Sequence, residues 1–304
     1  MDRNFIIFQH NIQSIRPTET REELSFFLHE HNVSIASLQE IWIKPQENYD
    51  IKGYNMIKRC RNQGYGGVAV LIKNNIAHEQ IQVPNMDPIE VVAVRTKNRP
   101  ENFTVISVYV PPDNQLIKKA AEKITDLFKH IETILGEVIL TGDFNAKHDM
   151  WEEGVRPCIK GKVIANELNM SKLVLLNDGQ KTTVPHVNRV SSAIDLSFAT
   201  RETAFRTCWS VKQEEFGSTH LSILIDIQLE TPIVITKTIK VNAEKVIEKM
   251  NDIQPQYIYD PEELQNIFEE KIQEASYVIK NKKSKLFKKM VEFRYSRSIQ
   301  PKTN

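Results

Sequence analysis

A carboxylate and a carboxamide follow one short apolar run near the middle of the sequence. Residues 138–140 (Val-Ile-Leu) are typical of a buried strand, and Asp143 and Asn145 come just after it, two residues apart. In extended backbone, residues two apart point the same way, so both side chains should emerge together at the end of a sheet. A carboxylate can take a proton from water, and an amide can donate to a phosphate oxygen. The same letters also fit an ordinary turn, because Gly, Asp and Asn are common turn residues.

Further polar side chains stand at or just past other apolar runs. They are Asn11, Glu40, Tyr109, Asp195 and His220. Each has an ordinary structural explanation by itself, such as a turn residue, a surface carboxylate or a histidine that is satisfied within the core. Their shared position at strand ends favours one common site, because open sheets bind ligands there.

The residue types of this set make chemical sense together. Glu40 can hold Mg²⁺, a hard cation that prefers oxygen ligands. Asp195 can fix His220 in one tautomer and stabilise its charged form. Asp143 can orient or deprotonate a water molecule, and the tyrosine and two asparagines can donate to a phosphate oxygen. The set therefore predicts metal-assisted attack of water on a phosphodiester.

The composition is that of a globular protein without a strong overall charge. The 304 residues include 40 basic and 39 acidic side chains, for a net charge of +1, and 40% are hydrophobic. Such a chain can bury one large core and carry an appendage. Its apolar runs are far shorter than a membrane span, so no membrane partner is expected. Three scattered cysteines and an N-terminal apolar run too short for a signal peptide predict a nuclear or cytoplasmic protein that is not secreted.

The hydrophobic pattern predicts the elements that position these side chains. Strands are predicted over residues 4–9, 33–39, 54–58, 67–72, 79–83, 89–96, 103–109, 138–140, 174–176, 193–198, 208–212 and 221–229. Amphipathic helices are predicted over residues 21–31, with Thr18 or Thr20 as N-cap, and over 113–135 and 163–173. The first strand, helix and strand form a βαβ-type unit, and residues 54–72 form a hairpin.

A change of composition near residue 230 predicts two regions. Residues 1–230 hold all the strand-end side chains, and residues 231–304 hold none of them. A helical pattern over residues 261–291 becomes strongly basic after residue 280. The second region is therefore predicted to be a helical, basic linker or tail, with nucleic-acid binding or nuclear import as weaker interpretations.

The polar stretches also occur in the order typical of one family. Together they resemble the endonuclease/exonuclease/phosphatase superfamily, and more narrowly the apurinic-type endonuclease domain of non-LTR (LINE-like) retrotransposons. The resemblance covers roughly residues 4 to 229, and its individual motifs are weak while their combination is specific. They are Gln9-His-Asn-Ile12, Ser37-Leu-Gln-Glu40, Gly66-Gly-Val-Ala-Val70, Val108-Tyr-Val-Pro-Pro112, Leu140-Thr-Gly-Asp-Phe-Asn-Ala-Lys-His148 with Trp151, Ser191-Ser-Ala-Ile-Asp-Leu196, Trp209-Ser-Val211 and Gly217-Ser-Thr-His220.

The resemblance implies a fold, a reaction and partners. The fold would be a four-layer α/β sandwich, in which two packed mixed β-sheets are flanked by helices. The reaction would be a DNA nick that leaves a 3′-hydroxyl to prime reverse transcription. Mg²⁺ would be the cofactor, with Mn²⁺ as a substitute, and DNA the partner. A reverse transcriptase domain is expected in a complete element, and none follows in this sequence, which suggests a fragment, a degenerate copy or a host-adopted domain.

The resemblance also implies the catalytic and metal-binding roles. Glu40 would bind the catalytic metal, with Asn11 in its neighbourhood. Asp143 would activate the water. Asp195 would pair with His220, which would stabilise the charge that develops on the phosphate.

Contacts with DNA are implied for the remaining candidates. Tyr109 and Asn145 would contact the scissile phosphate. Thr182 matches a position that lies near the DNA in such domains. Arg59 and Arg61 belong to a basic, glycine-bearing loop that would lie near the substrate face.

One position departs from the family pattern. Such domains usually have Ser-Asp-His before the last strand, whereas this sequence has Ser218-Thr-His220. The loss of a carboxylate at Thr219 should weaken Mg²⁺ binding and change nearby pKa values. Reduced activity with a greater need for metal is therefore expected. A catalytically weakened DNA-binding remnant and a phosphatase of the same superfamily stay open as alternatives.

Overall fold

The computed structural model describes residues 4–97, 102–185 and 190–229, together with residues 239–241, 248, 266–267, 270–271 and 276–278. The chain divides into two compact units, residues 1–230 and residues 231–304. All ten side chains proposed for the site lie in the first unit.

Two six-stranded sheets form the centre of the first unit. In spatial order, one contains Thr207–Val211 (β11), Ile223–Gln228 (β12), Asn4–Asn11 (β1), Ile35–Gln39 (β2), Val68–Lys73 (β4) and Tyr54–Arg59 (β3). The other contains His78–Ile81 (β5), Glu90–Thr96 (β6), Phe103–Tyr109 (β7), Glu137–Asp143 (β8), Asp195–Thr200 (β10) and Leu173–Leu175 (β9). Both sheets are mixed, because β1 pairs with β2 and β7 pairs with β8 in parallel, while the other pairs are antiparallel.

Helices cover the outer faces of the two sheets. They are Thr18–Glu30 (α1), Ile117–Thr133 (α2), Ile159–Met170 (α3) and the short Arg201–Ala204 (α4). The buried side of α1 packs into a core with the first sheet, and α2 and α3 pack into a core with the second. A third core fills the space between the sheets. This four-layer arrangement confirms the predicted α/β sandwich and the opening βαβ unit.

The strands are apolar along most of their length because both of their faces are buried. In β1, Phe5 faces the second sheet and stacks on Phe103, with ring centroids 4.9 Å apart. Phe8 faces the other way and packs with Phe27 of α1. Alternate residues of one strand therefore serve two cores, and this fixes the orientation of the polar residues at the strand end.

Several boundaries differ from those predicted. Helix α1 begins at Thr18 with Pro17 as its N-cap, and no side chain caps it, so neither Thr18 nor Thr20 is the N-cap. Helix α3 begins at Ile159, four residues before the predicted start. There the Cys158 sulfur accepts the backbone N–H of Gly161 at 3.4 Å, an N-cap that the preferences for Ser, Thr, Asp and Asn do not predict.

The second unit is described only in short pieces. Ser276–Val278 (β14) pairs antiparallel with Ile239–Val241 (β13), so the predicted helix over residues 261–291 is wrong at this point. Tyrosine and valine favour strands, and the pairing satisfies their backbone groups. The basic run after residue 280 lies outside the described residues. Among the residues that are described, no helix has the length and apolarity needed to cross a membrane.

Candidate active site

The ends of five neighbouring strands from the two sheets bring the predicted residues together. Asn11 ends β1, and Glu40 directly follows β2, which runs parallel to it. Tyr109 and Asp143 end two parallel strands and lie opposite each other in the register. Asp195 begins β10 and faces Asp143 across the antiparallel pair. These strand ends therefore meet at one edge of the sandwich, as the sequence predicted.

Asn11 joins the two carboxylates that come from different sheets. Its side-chain nitrogen donates to Glu40 Oε1 at 2.8 Å and to Asp143 Oδ2 at 2.9 Å. Asn145 also donates to Asp143, from its side chain to Oδ2 at 3.0 Å and from its backbone to Oδ1 at 2.9 Å. Asn145 has φ 44°, a left-handed conformation. The two side chains therefore meet through a turn, and not through the extended geometry that the sequence suggested.

Asp195 and His220 form a buried pair beside this group. His220 Nδ1 lies 2.8 Å from Asp195 Oδ2, and their side chains are 7% and 0% exposed. The hydroxyl of Thr182 donates to the same oxygen at 2.7 Å, and Gln9 donates to Oδ1 at 3.2 Å. Both oxygens of Asp195 are thus engaged. With Nδ1 held by Asp195, Nε2 is the imidazole nitrogen that can serve a substrate.

Thr182 holds this pair in place and should contribute measurably to stability. Its buried oxygen accepts the backbone N–H groups of Ile194 at 3.2 Å and Asp195 at 3.1 Å while its proton serves the carboxylate. Thr182→Val keeps the shape but leaves these groups unsatisfied, so we expect a loss of about 2 kcal/mol of unfolding free energy, measured by urea titration. Thr182→Ser, which keeps the hydroxyl, is the matched control. A valine variant as stable as the parent would contradict this role.

The two facing carboxylates and the histidine shift one another's pKa values. Burial raises the pKa of Asp143 to about 7, and the negative charge of Asp195 adds to this shift. For His220, burial opposes the charged form, but the charge and hydrogen bond of Asp195 outweigh it and raise the pKa to about 9. At neutral pH the site therefore holds a charged imidazolium beside a carboxyl group that can exchange its proton.

The raised pKa of His220 gives a pH dependence of stability. A histidine whose folded pKa lies above its unfolded value stabilises the fold below about pH 6.5 and loses that contribution as pH rises through the folded value. With a folded pKa of about 9, the loss should fall between pH 6.5 and 9. We expect the difference in unfolding free energy between the parent and His220→Gln to shrink by on the order of 3 kcal/mol across this window. A constant difference would contradict the pairing with Asp195.

A second histidine lies in the core next to His220 and stays neutral. Burial lowers the pKa of His10 to about 4, and the positive charge of His220 lowers it further. His10 Nε2 is 3.0 Å from the carbonyl of Glu215, and its ring packs edge-on against Phe216. His10 therefore supports the turn that leads into His220, a role that its motif did not indicate.

Tyr109 and Trp42 adjoin Glu40. Burial raises the pKa of Tyr109 well above its usual range, and the nearby charge of Glu40 adds to it, so the phenol stays protonated and can donate. The indole nitrogen of Trp42 donates to Glu40 Oε2 at 3.0 Å. Sequence reasoning missed Trp42, and it missed Gln9, which sits inside an apolar strand. The available signals were that Gln9 opens the motif ending at Ile12 and that Trp42 lies two residues after Glu40.

The three residues predicted to bind DNA make contacts within the protein. Arg61 is 41% exposed and pairs with the buried Glu90, while Arg59 pairs with Asp87 at 2.8 Å. Both arginines thus hold neighbouring carboxylates, although part of each guanidinium faces solvent. Thr182 is fully buried. Direct contact of its side chain with DNA does not fit this burial, because the hydroxyl is enclosed by the β10 backbone and Asp195.

Two groups of side chains have the chemistry to hold a metal ion. The ligand atoms of Asp143, Asp195 and His220 lie within 4.8 Å of one another. In this cluster, however, the oxygens of Asp195 already accept hydrogen bonds and His220 is charged. The other group is Glu40 with Asn11, whose buried Oδ1 has no hydrogen-bond partner among the described residues. The carboxylate of Glu40 and the free Oδ1 of Asn11 are oxygen ligands, which a hard cation prefers. This pair therefore suits such a cation better than the cluster of Asp143, Asp195 and His220 does.

Comparison with known proteins identifies sequence relatives of this chain. A family profile described as Endonuclease-reverse transcriptase matches residues 103–224. The RNA-directed DNA polymerase from mobile element jockey of Drosophila melanogaster is 29% identical over 168 residues, which cover 54% of this chain and 18% of that protein. Its counterpart from Drosophila funebris is 26% identical over 214 residues, which cover 69% and 22%. The chain therefore spans about a fifth of the length of the curated relatives that it matches.

Solved structures share the fold. The endonuclease domain of TRAS1, a telomere-specific non-LTR retrotransposon, has a TM-score of 0.60 at 22% identity, covering 75% of this chain and 100% of that one. The AP endonuclease LMAP from Leishmania major has a TM-score of 0.59 at 14% identity, covering 76% and 90%. These comparisons confirm the resemblance to the endonuclease/exonuclease/phosphatase superfamily and to the endonuclease domains of non-LTR retrotransposons.

Proposed function

We propose that this chain is a metal-dependent DNA endonuclease that nicks one strand and leaves a 3′-hydroxyl able to prime reverse transcription. The observation that carries the proposal is the continuous hydrogen-bonded group from Glu40 through Asn11 to Asp143, beside the Asp195–His220 pair. It provides a proton acceptor, a cationic donor and a carboxylate for a metal within one strand-end site. That combination suits hydrolysis of a phosphodiester.

In this reaction Asp143 accepts the proton of the attacking water. Its pKa of about 7 suits a general base at neutral pH, since such a group can both take and release a proton. Hydrogen bonds from Asn11 and Asn145 hold Oδ2 in place, and the backbone of Asn145 holds Oδ1. The carboxylate is therefore oriented before the substrate arrives.

His220 stabilises the negative charge that develops on the phosphate. Its imidazolium is kept charged by Asp195 and offers the Nε2 proton to a phosphate oxygen. The neutral phenol of Tyr109, next to Glu40, is a second donor. The water oxygen bonds to phosphorus as the bond between phosphorus and the 3′-oxygen breaks, so the phosphate stays on the 5′ end. The departing 3′-oxygen takes a proton from solvent and becomes a hydroxyl.

Glu40 and Asn11 would hold the metal ion. The partly buried carboxylate of Glu40 is fixed by donors from Asn11 and Trp42, and the free Oδ1 of Asn11 is a further hard ligand. Mg²⁺, or Mn²⁺ in its place, would supply Lewis-acid stabilisation of the phosphate charge when bound. The oxygen-only donor set supports these two metals over ones that prefer sulfur or imidazole.

Thr219 is the one residue that favours a weaker enzyme or a DNA-binding remnant. Its exposed side chain accepts a hydrogen bond from Gln13 Nε2 at 3.0 Å, and its backbone N–H donates to Gln13 Oε1 at 3.0 Å. This double contact fixes the segment that carries His220 without adding a negative charge. Threonine at this position therefore holds the segment through Gln13 but supplies no negative charge.

Thr219→Asp should restore that charge. We expect the Mg²⁺ concentration for half-maximal nicking to fall by about 3- to 10-fold, because an added carboxylate near the site attracts the cation. The rate at saturating Mg²⁺ should change less than about threefold. Thr219→Asn, which has the same size without the charge, is the control. An unchanged Mg²⁺ requirement would show that this position lies outside the field of the metal.

The end chemistry of the product tests the proposed reaction. The full chain is incubated with supercoiled plasmid and Mg²⁺, and the nicked product is offered to a DNA polymerase with labelled nucleotides. Direct extension is expected, because the 3′ end carries a hydroxyl. Extension that requires prior treatment with a phosphatase would overturn the proposal, as would binding of the plasmid without any nick.

A further inference from the structure

Two aromatic side chains lie at the rim of the candidate active site, and one of them, Tyr65, has no part in the chemistry described so far. The ring of Tyr65 is 68% exposed, an unusual state for so large an apolar surface. It meets the partly buried ring of Trp42 edge-on, with centroids 5.6 Å apart and planes at 67°. We call Trp42 and Tyr65 the aromatic platform.

The backbone holds the aromatic platform firmly in this position. Trp42 has a left-handed φ of 52°, and its N–H donates to the carbonyl of Gly66 at 3.0 Å. The adjacent N–H of Ile41 donates to the carbonyl of Gly67 at 3.3 Å. A Cβ at Gly67 would lie 2.9 Å from the side chain of Ile41, so glycine permits this close approach. The loop that carries Tyr65 is thus fastened to the segment that follows Glu40.

The position of the platform identifies what can reach it. Trp42 donates to Glu40, so the platform lies one residue contact from the group proposed to hold the metal. Basic side chains border it, because a Cβ at Gly66 would lie 3.1 Å from Arg61 Nε and a Cβ at Gly64 would lie 3.0 Å from Arg16 Nη2. Arg61 and Arg16 pair with Glu90 and Glu47, and their side chains keep 41% and 42% exposure to solvent. Cations around an exposed aromatic face suit a nucleic acid, which offers phosphates and flat bases together.

We propose that the aromatic platform stacks on an unpaired DNA base next to the scissile phosphate, an inference that rests on the proposed function. A base inside a duplex has both faces covered by its neighbours, so only a base that has left the stack can use the platform. Stacking on an aromatic side chain does not depend on base identity. The platform therefore selects DNA that is locally opened or distorted at the cleavage point, without reading its sequence.

The test measures binding and nicking on the same two duplexes. One is fully paired, and the other carries a single unpaired 2-aminopurine, whose fluorescence falls when it stacks. Binding is measured in EDTA, so that it does not depend on catalysis, and nicking is measured in Mg²⁺. The full-length parent is compared with Tyr65→Ala and with Tyr65→Phe, which keeps the aromatic face. Phe205→Ala removes another exposed aromatic side chain, 79% exposed at the opposite end of β10, and serves as the matched control.

The platform predicts tighter binding of the unpaired duplex by the parent, with quenched fluorescence. Tyr65→Ala should weaken that binding by about 5- to 100-fold and restore the fluorescence, while Tyr65→Phe and Phe205→Ala stay within about twofold of the parent. If Tyr65→Ala binds and nicks both duplexes as the parent does, the role of the platform is overturned and the proposed function stands. Quenching that depends on Tyr65 without any nicking would support the platform and overturn the proposed function. Failure to bind either duplex would overturn both.

Discussion

Asp143→Asn should slow DNA nicking by about 10³-fold, because it removes the group that takes the proton of the attacking water. Asparagine has nearly the same shape, so the loss would come from the missing carboxylate and not from a cavity. The initial rate of conversion of supercoiled to open-circular plasmid, at pH 7 and saturating Mg²⁺, measures the effect. The full chain should be used in every case.

The same substitution should leave the fold intact. It removes one of two buried carboxylates that face each other across β8 and β10, and the repulsion between them disappears with it. Asp126→Asn, on the outer helix α2, is the matched control and should nick at the rate of the parent. A folded Asp143→Asn protein within about threefold of the parental rate would remove Asp143 from the mechanism.

Glu40→Gln should raise the Mg²⁺ concentration needed for half-maximal nicking by 10-fold or more, with a fall of about 10²-fold in rate at limiting Mg²⁺. Glutamine can still accept the hydrogen bond from Asn11 through its remaining oxygen, so the change is chiefly a loss of charge. A titration of nicking against Mg²⁺ concentration measures both effects.

The control for this prediction is Glu79→Gln on the edge strand β5, where the carboxylate pairs with Lys97 at the surface. Its Mg²⁺ requirement should equal that of the parent. An unchanged requirement in Glu40→Gln would show that Glu40 does not hold the metal. The ion would then belong to the cluster of Asp143, Asp195 and His220.

The strand ends could be predicted from the sequence because each apolar run is long and changes abruptly to polar residues where the strand ends. Strand β8 shows this well, since its apolar residues lead directly to Asp143. Helix starts were less predictable, because α1 has no side-chain cap and α3 is capped by a sulfur atom. Residues 276–278 read as helix by periodicity, but they pair with a strand that lies more than thirty residues earlier, and a local pattern cannot show that.

The residues that form the site were predicted from the sequence, but the contacts between them were not. The facing of Asp143 and Asp195 depends on the register between strands that are about fifty residues apart in the chain. Gln9 contacts Asp195 from the other sheet, so its role depends on how the sheets pack. Glu40 and Trp42 have left-handed φ values of 51° and 52°, and no glycine marks them in the sequence. Such strained positions are held by the surrounding structure, and local preference does not reveal them.

The most direct test of the central claim is nicking of supercoiled plasmid by the full chain in Mg²⁺ and in EDTA, beside His220→Ala. We expect open-circular product in Mg²⁺, none in EDTA, and a fall of at least about 10²-fold in the rate of the variant. No nicking by the folded parent at any Mg²⁺ or Mn²⁺ concentration would contradict the account. So would nicking that persists in EDTA and in His220→Ala, since it could not come from this site.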